Sequence, residues 1–254
     1  MQRLSLLLAT LVLMFGITTV SAQDNKNPAM EGFNAEGSDA KAIAIADEVV
    51  AAHGGRANWD NTRYVSWKFM GGRMHVWDKW TGNIRVEGKT TTVLMNLHTM
   101  KGKAWKQGEE VVQPDSLEKL MKWGEAVWIN DGYWMFLPFK LKDSGVTLKY
   151  HAEGTTADGR KADVLQLTFE EVGRTPENKY LVYVDAETRL LTQWDFYTKF
   201  DDPEPRFTTP WANWQPYGKI LLSADRGKYQ HSNIKVFDTL PESVFTTPDA
   251  VTLP

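Results

Sequence analysis

No cysteine occurs among the 254 residues. Disulfides, thiolate nucleophiles and cysteine-based zinc sites are therefore excluded, as is lipidation at a cysteine following a signal. Histidine is scarce, at His53, His75, His98, His151 and His231, with no HExxH and no pair at i,i+2 or i,i+4. A zinc site would need ligands gathered from distant strands, so no metal and no cofactor are expected. No GxSxG, P-loop or dinucleotide fingerprint occurs. The net charge is −3, with no basic run, which provides no electrostatic footprint for nucleic acid.

The one long apolar run lies at the start. Arg3 precedes Leu4 to Val20, interrupted only by Ser5, Thr10, Thr18 and Thr19, and Val20-Ser21-Ala22 offers small residues before polar Gln23-Asp24-Asn25. Charge, apolar run, small-residue exit and polar start follow the order of a secretory signal, so residues 1–22 are expected to be removed after Ala22. The run is short for a membrane span, which needs about 20 apolar residues. No later stretch approaches that length. A soluble mature chain in the periplasm or outside the cell is the expectation. Losing Arg3 takes its charge from −3 to −4.

Residues 23–38 are polar and contain glycine and proline, as expected of a flexible leader. Ser38 or Asp39 is placed to cap a helix over 39–53, whose apolar residues keep helical spacing until Gly54-Gly55. From Tyr64 the period becomes two: Val65, Trp67 and Phe69 alternate with Ser66 and Lys68. Short strands follow at 73–80, 84–87, 90–98 and 103–107, separated by glycine turns. Leu117, Leu120, Met121, Gly124 and Val127 return to helical spacing, predicting a helix over about 116–128. Strands resume at 146–152, 163–172, 179–185, 190–197, 219–224 and 232–237. The proline- and tryptophan-rich stretch 201–216 reads as an ordered loop. With no repeat and no linker, residues 39–254 are expected to form one mainly β (α+β) domain of hairpin-linked strands.

Tryptophan is abundant, with 11 residues. Trp67, Trp77 and Trp194 fall in predicted strands, Trp123 and Trp128 on the predicted helix, Trp134 in the run Tyr133 to Phe139, and Trp211 and Trp214 in the 201–216 stretch. Each can simply fill a core, burying roughly 150–250 Å². A curled sheet with a concave face too wide to fill would instead present them to an apolar ligand. The candidate ligand-binding residues are therefore Trp67, Trp77, Trp123, Trp128, Trp134, Phe136, Trp194, Phe196, Trp211 and Trp214.

Paired carboxylates (Asp47/Glu48, Glu109/Glu110, Glu170/Glu171, Asp201/Asp202) are adjacent in sequence, and neighbours on a strand point to opposite faces. No catalytic residue is assigned and no enzyme is expected. A sugar-binding module or glycan-active enzyme remains an alternative, with Asp131 and Asp195 as its carboxylates. Another is an envelope protein–protein interaction module, with an envelope partner docked on the same cavity or on the loop of Trp211 and Trp214.

Three segments carry a resemblance. The stretch Trp128 to Val146 (WINDGYWMFLPFKLKDSGV) resembles a motif of uncharacterised exported bacterial proteins of the LolA/LolB-like, lipoprotein carrier-like superfamily. Ala51-Ala52-His53-Gly54-Gly55 with Trp59 and the strand from Tyr64 is similar to their start, and Leu240-Pro241 through Pro248 to their close. The resemblance implies a strongly curved antiparallel sheet, a half-open barrel whose open side is covered by helices or loops. It also implies an apolar cavity that accepts a lipid or acyl chain without bond chemistry.

Overall fold

The computed structural model describes residues 27–170, 176–249, 251 and 253. The expected signal, residues 23–26 of the leader and the end of the strand expected at 163–172 lie outside the described residues.

Helix α1 (Ala40–Ala52) buries Ala42, Ile45, Ala46 and Val49 on one face, as its spacing requires. A short α2 (Arg56–Asn61) leads into β1 (Tyr64–Lys68), β2 (Met74–Asp78), β3 (Asn83–Glu87), β4 (Thr91–Asn96), β5 (Lys101–Lys106) and β6 (Glu109–Glu110). Helix α3 (Pro114–Phe136) and a 3-10 turn (Leu137–Phe139) separate these from β7 (Val146–Thr155), β8 (Lys161–Phe169), β9 (Lys179–Asp185), β10 (Leu191–Tyr197) and β11 (Phe207–Pro210). Strands β12 (Ala212–Tyr217), β13 (Ile220–Arg226), β14 (Tyr229–Gln230) and β15 (Ser232–Phe237) and a final turn of helix, α4 (Ser243–Thr246), complete the described chain.

The fold is mainly β and antiparallel, but the expected single sheet is divided in three. Their orders are β15-β1-β2-β3-β4-β5-β6, β11-β10-β9-β8-β7 and β12-β13-β14. The breaks have a local cause. One residue, Trp211, separates β11 from β12, and one residue, His231, separates β14 from β15. At each corner the chain leaves one sheet and enters the next, and both corner side chains are buried. Strands β11 and β12 replace the loop expected at 201–216. Both are edge strands, so Pro210 and Pro216 remove no ladder bond that the sheet needs.

Helix α3 runs well beyond the 116–128 expected. Its first half is amphipathic, laying Leu117, Leu120, Met121 and Val127 on Ile84, Val86, Val93 and Met95. The approach is close at Gly124, where a Cβ would meet Val93 Cγ1 at 2.9 Å. The second half packs Met135 and Phe136 against Val65, Trp67, Ile220 and Leu222, and Tyr133 and Trp134 against the core under the five-stranded sheet. A helix embraced on several sides is apolar on more than one face and loses the 3.6 period.

Ser38 and Asp39 do not cap α1. Ser38 Oγ accepts from the Leu148 amide at 2.9 Å and Asp39 Oδ2 from the Tyr150 amide at 2.9 Å. The main chain adds Met30 N to Lys142 O, Asn34 N to Val146 O and Asp39 N to Leu148 O. From Asn27 on, the expected flexible leader is thus tied to the edge strand β7 and the turn before it, covering polar groups that an open edge would expose. On the outer face of the seven-stranded sheet, the buried Arg85 guanidinium donates to the carbonyls of Val244, Thr247, Pro248 and Asp249. This fastens the C-terminal segment to β3.

Candidate functional site

Across β1–β4, the row Val65, Trp77, Ile84, Met95 faces α3. Where this row passes the second half of α3, the two elements do not close completely. A cavity of about 230 Å³ remains, walled by Trp59 of α2, Trp77 of β2, Trp128, Ile129, Gly132 and Phe136 of α3, and Phe139 of the 3-10 turn. Trp128, Gly132 and Phe136 recur every four residues and so share one helix face. Gly132 leaves bare backbone there, where a Cβ would meet nothing nearer than Phe136 Cδ2 at 3.8 Å.

The rings brace one another. Trp59 stacks on Phe139 with centroids 4.4 Å apart and planes 4° from parallel. Trp77 meets Trp128 edge-on at 4.9 Å and 76°. Lys79 Nζ lies 3.5 Å from the Trp59 ring centroid and donates to the Trp59 carbonyl. Burial pushes this ammonium down to about 7. At the mouth stand Met30, Arg56, Lys140 and Asp143.

One turn from the cavity wall, Asp131 is 0% exposed. Arg73 reaches its two oxygens at 2.7 and 2.8 Å, and His75 Nε2 at 2.7 Å. Burial alone would raise the carboxyl, but the hydrogen bonds from His75 and Arg73 outweigh it and hold Asp131 below the usual carboxylate range. His75 is driven down by its own burial, which the Asp131 bond only partly offsets. The network therefore assigns it a neutral ring with the proton on Nε2. Its ring lies on Trp67 at 4.5 Å and 9°. Asp195, the other carboxylate considered for chemistry, accepts from Tyr183, Gln193 and Thr208. Both carboxylates are thus held by neighbouring side chains.

The candidate ligand-binding residues divide into groups. Trp77, Trp128 and Phe136 line the cavity. Trp67 is wholly buried behind it, edge-on to Phe136 at 5.0 Å. Trp123 lines a different, open groove of about 1000 Å³ among polar residues such as Ser66, Lys68, Glu87 and Asn233. Trp134, Trp194, Phe196, Trp211 and Trp214 form a chain of ring contacts under the five-stranded sheet. Arg226 closes that chain, 3.5 Å over the Trp211 ring and donating to the Trp134 carbonyl.

Sequence reasoning did not assign Trp59, Phe139, Gly132 or the charged mouth to the site. The four-residue spacing of Trp128, Gly132 and Phe136 was the available signal, masked by the apolar residues between. Among the described residues, no three His, Asp or Glu side chains gather as metal ligands would, and no helix is long and apolar enough to cross a membrane.

No protein-family model matches the chain, and no curated protein matches it. Solved structures to which it is similar include a DUF1329 family protein from Desulfovibrio piger, at 13% identity and TM-score 0.42 over 80% of this chain and 96% of that one. A putative outer membrane lipoprotein-sorting protein domain from Vibrio parahaemolyticus is similar at 10% identity and TM-score 0.40, over 81% and 96%. A LolA superfamily protein from Nitrosomonas europaea is similar at 12% identity and TM-score 0.38, over 81% and 97%.

Proposed function

We propose that this chain is an exported, non-catalytic binding or carrier protein for an apolar ligand, a lipid or acyl chain, held in the cavity of Trp59, Trp77, Trp128, Phe136 and Phe139. The observation that carries the reading is this unfilled space walled mostly by aromatic and aliphatic side chains. The rings brace one another around this hollow, which lies beside a bare helix glycine. Water gains little in such a place, and an apolar chain gains contact with every wall.

On this reading the signal over residues 1–22 delivers the chain beyond the cytoplasm. Residues 39–254 act as one domain. The three sheets, joined at Trp211 and His231, wrap as a half-open barrel around α3. The glycan reading is disfavoured by the engagement of Asp131 and Asp195 with their neighbours. Docking of an envelope protein on Trp211 is disfavoured by its burial beneath Arg226.

Native mass spectrometry of protein purified without detergent tests the proposal. A population carrying one small apolar adduct, removed by organic extraction and restored by adding an acyl compound, is expected. Protein that is free of adduct and unchanged by octanol, fatty acid or phospholipid would overturn it.

A further inference from the structure

The cavity has one charged end. Its apolar walls are Trp59, Trp77, Trp128, Phe136 and Phe139, while the part-exposed side chains of Arg56, Lys140 and Asp143 mark the mouth. Two cations face one carboxylate in the lining, with Asp60, outside it, paired to Arg56. An apolar box with such an entrance disfavours a cationic head, even though tryptophan faces attract quaternary ammonium in other settings.

Arg56 is the residue best placed to read an anion. Its Nε faces both oxygens of Asp60 at 2.8 and 2.9 Å. Among the described residues, its two terminal nitrogens meet the Pro28 carbonyl at 3.3 Å and the Met30 sulfur at 3.7 Å. Both contacts lie at the outer limit of useful hydrogen bonding. A carboxylate offers the same planar fork two short, charge-assisted bonds. Lys140, paired with Asp143, keeps its side chain 29% exposed and can turn toward the same head.

Size limits the rest of the ligand. A water's share of liquid volume is about 30 Å³, and a methylene group takes much the same, so about 230 Å³ accepts on the order of eight carbons. This suits one chain, or one chain end, and not a whole two-chain lipid.

We infer that the cavity selects a single-chain acid, with its carboxylate on Arg56 and Lys140 and about eight carbons of chain among the tryptophans. This rests on the apolar-ligand reading above and adds the head and the length to it.

The test is a set of tryptophan-fluorescence titrations of the extracted full chain at pH 7.5 with octanoate, octanol and octyltrimethylammonium. Octanoate is expected to bind about tenfold more tightly than octanol, the scale of one partly solvated charged hydrogen-bond pair. R56Q is expected to bring that ratio close to one, and K140Q to reduce it. Because the Arg56–Asp60 pair is an exposed i,i+4 contact, R56Q should fold. Octanol equal to octanoate, an unchanged ratio in both variants, or preference for the ammonium would overturn the inference while leaving the apolar-ligand reading standing. Binding of none of the three would remove both.

Discussion

The indole of Trp59 and the ring of Phe139 lie face to face, 4.4 Å apart and 4° from parallel. They come from α2 and from the turn that ends α3, and together they form one wall of the cavity. Removing either ring opens the hollow and uncouples the two elements. W59A is expected to lower unfolding stability by about 3 kcal/mol, the cost of truncating a large buried aromatic. In a double-mutant cycle with F139A, measured by urea denaturation, the pair should show a coupling of roughly 1 kcal/mol. Strict additivity would mean that the stack is incidental.

Asp131 is the hinge of the polar network beneath the cavity. D131N keeps the shape but leaves Arg73 partly buried without its carboxylate, and it should cost about 3 kcal/mol. The wild-type Asp131 carboxyl titrates below its unfolded value, so its stabilisation is present above the ordinary carboxylate pKa and is lost as pH falls through the folded one. The gap between wild type and D131N should therefore narrow in acid. Equal stabilities at neutral pH would contradict the ion-pair role.

Buried histidines set a second pH dependence. His53 is fully buried, with Nδ1 donating to the Val49 carbonyl, and burial pushes it from 6.5 down to about 4. Its folded pKa is depressed, so the protein has full stability above pH 6.5. It should lose on the order of 3 kcal/mol from this group as pH falls to about 4, where the loss levels off. His231, pushed down to about 3 by burial and by nearby Arg226, steepens the same fall. Urea denaturation at pH 7 and pH 5 checks this, and H53Q should flatten the difference.

These relationships differ in how far the sequence disclosed them. The strand 232–237 and the helix near 40–52 were legible because each presents one buried face and keeps its period, and the strand 179–185 because it is a short apolar run bounded by turns. The second half of α3 was not, because it is packed on several sides and its two polar residues, Asn130 and Asp131, are adjacent and mark no helical period. Strands β11 and β12 were hidden by prolines that edge strands tolerate. Trp77, Trp128 and Phe136 drew attention as aromatics, yet nothing local separates them from Trp194 or Trp211, which fill the core. Only the meeting of α2, β2 and α3 makes that division. Arg73 and His75 lie 58 and 56 positions from Asp131, so that network appears only in three dimensions.

The C-terminal segment depends on one buried arginine. R85M removes the donors that hold the carbonyls of Val244, Thr247, Pro248 and Asp249. Hydrogen exchange should show faster exchange over 243–247, with a stability loss of about 2 kcal/mol from orphaned buried groups. Unchanged protection would mean that Val244 packing alone retains the segment.

Gly132 offers a change that fills the cavity without breaking the fold. G132L adds a side chain where a Cβ meets nothing closer than 3.8 Å, and it removes a glycine from a helix interior. Stability should be kept or rise by up to about 1 kcal/mol. Octanol binding, read by tryptophan fluorescence, should fall at least about tenfold. Undiminished binding would place the ligand elsewhere.

The most direct measurement is an isotope-edited nuclear Overhauser experiment on the extracted protein with octanol labelled with carbon-13 at its terminal methyl. The account predicts cross-peaks from that methyl to the ring protons of Trp77, Trp128 and Phe136. Cross-peaks confined to Trp123 or to exposed rings such as Trp80 and Tyr229, or no intermolecular cross-peaks at saturating octanol, would contradict it.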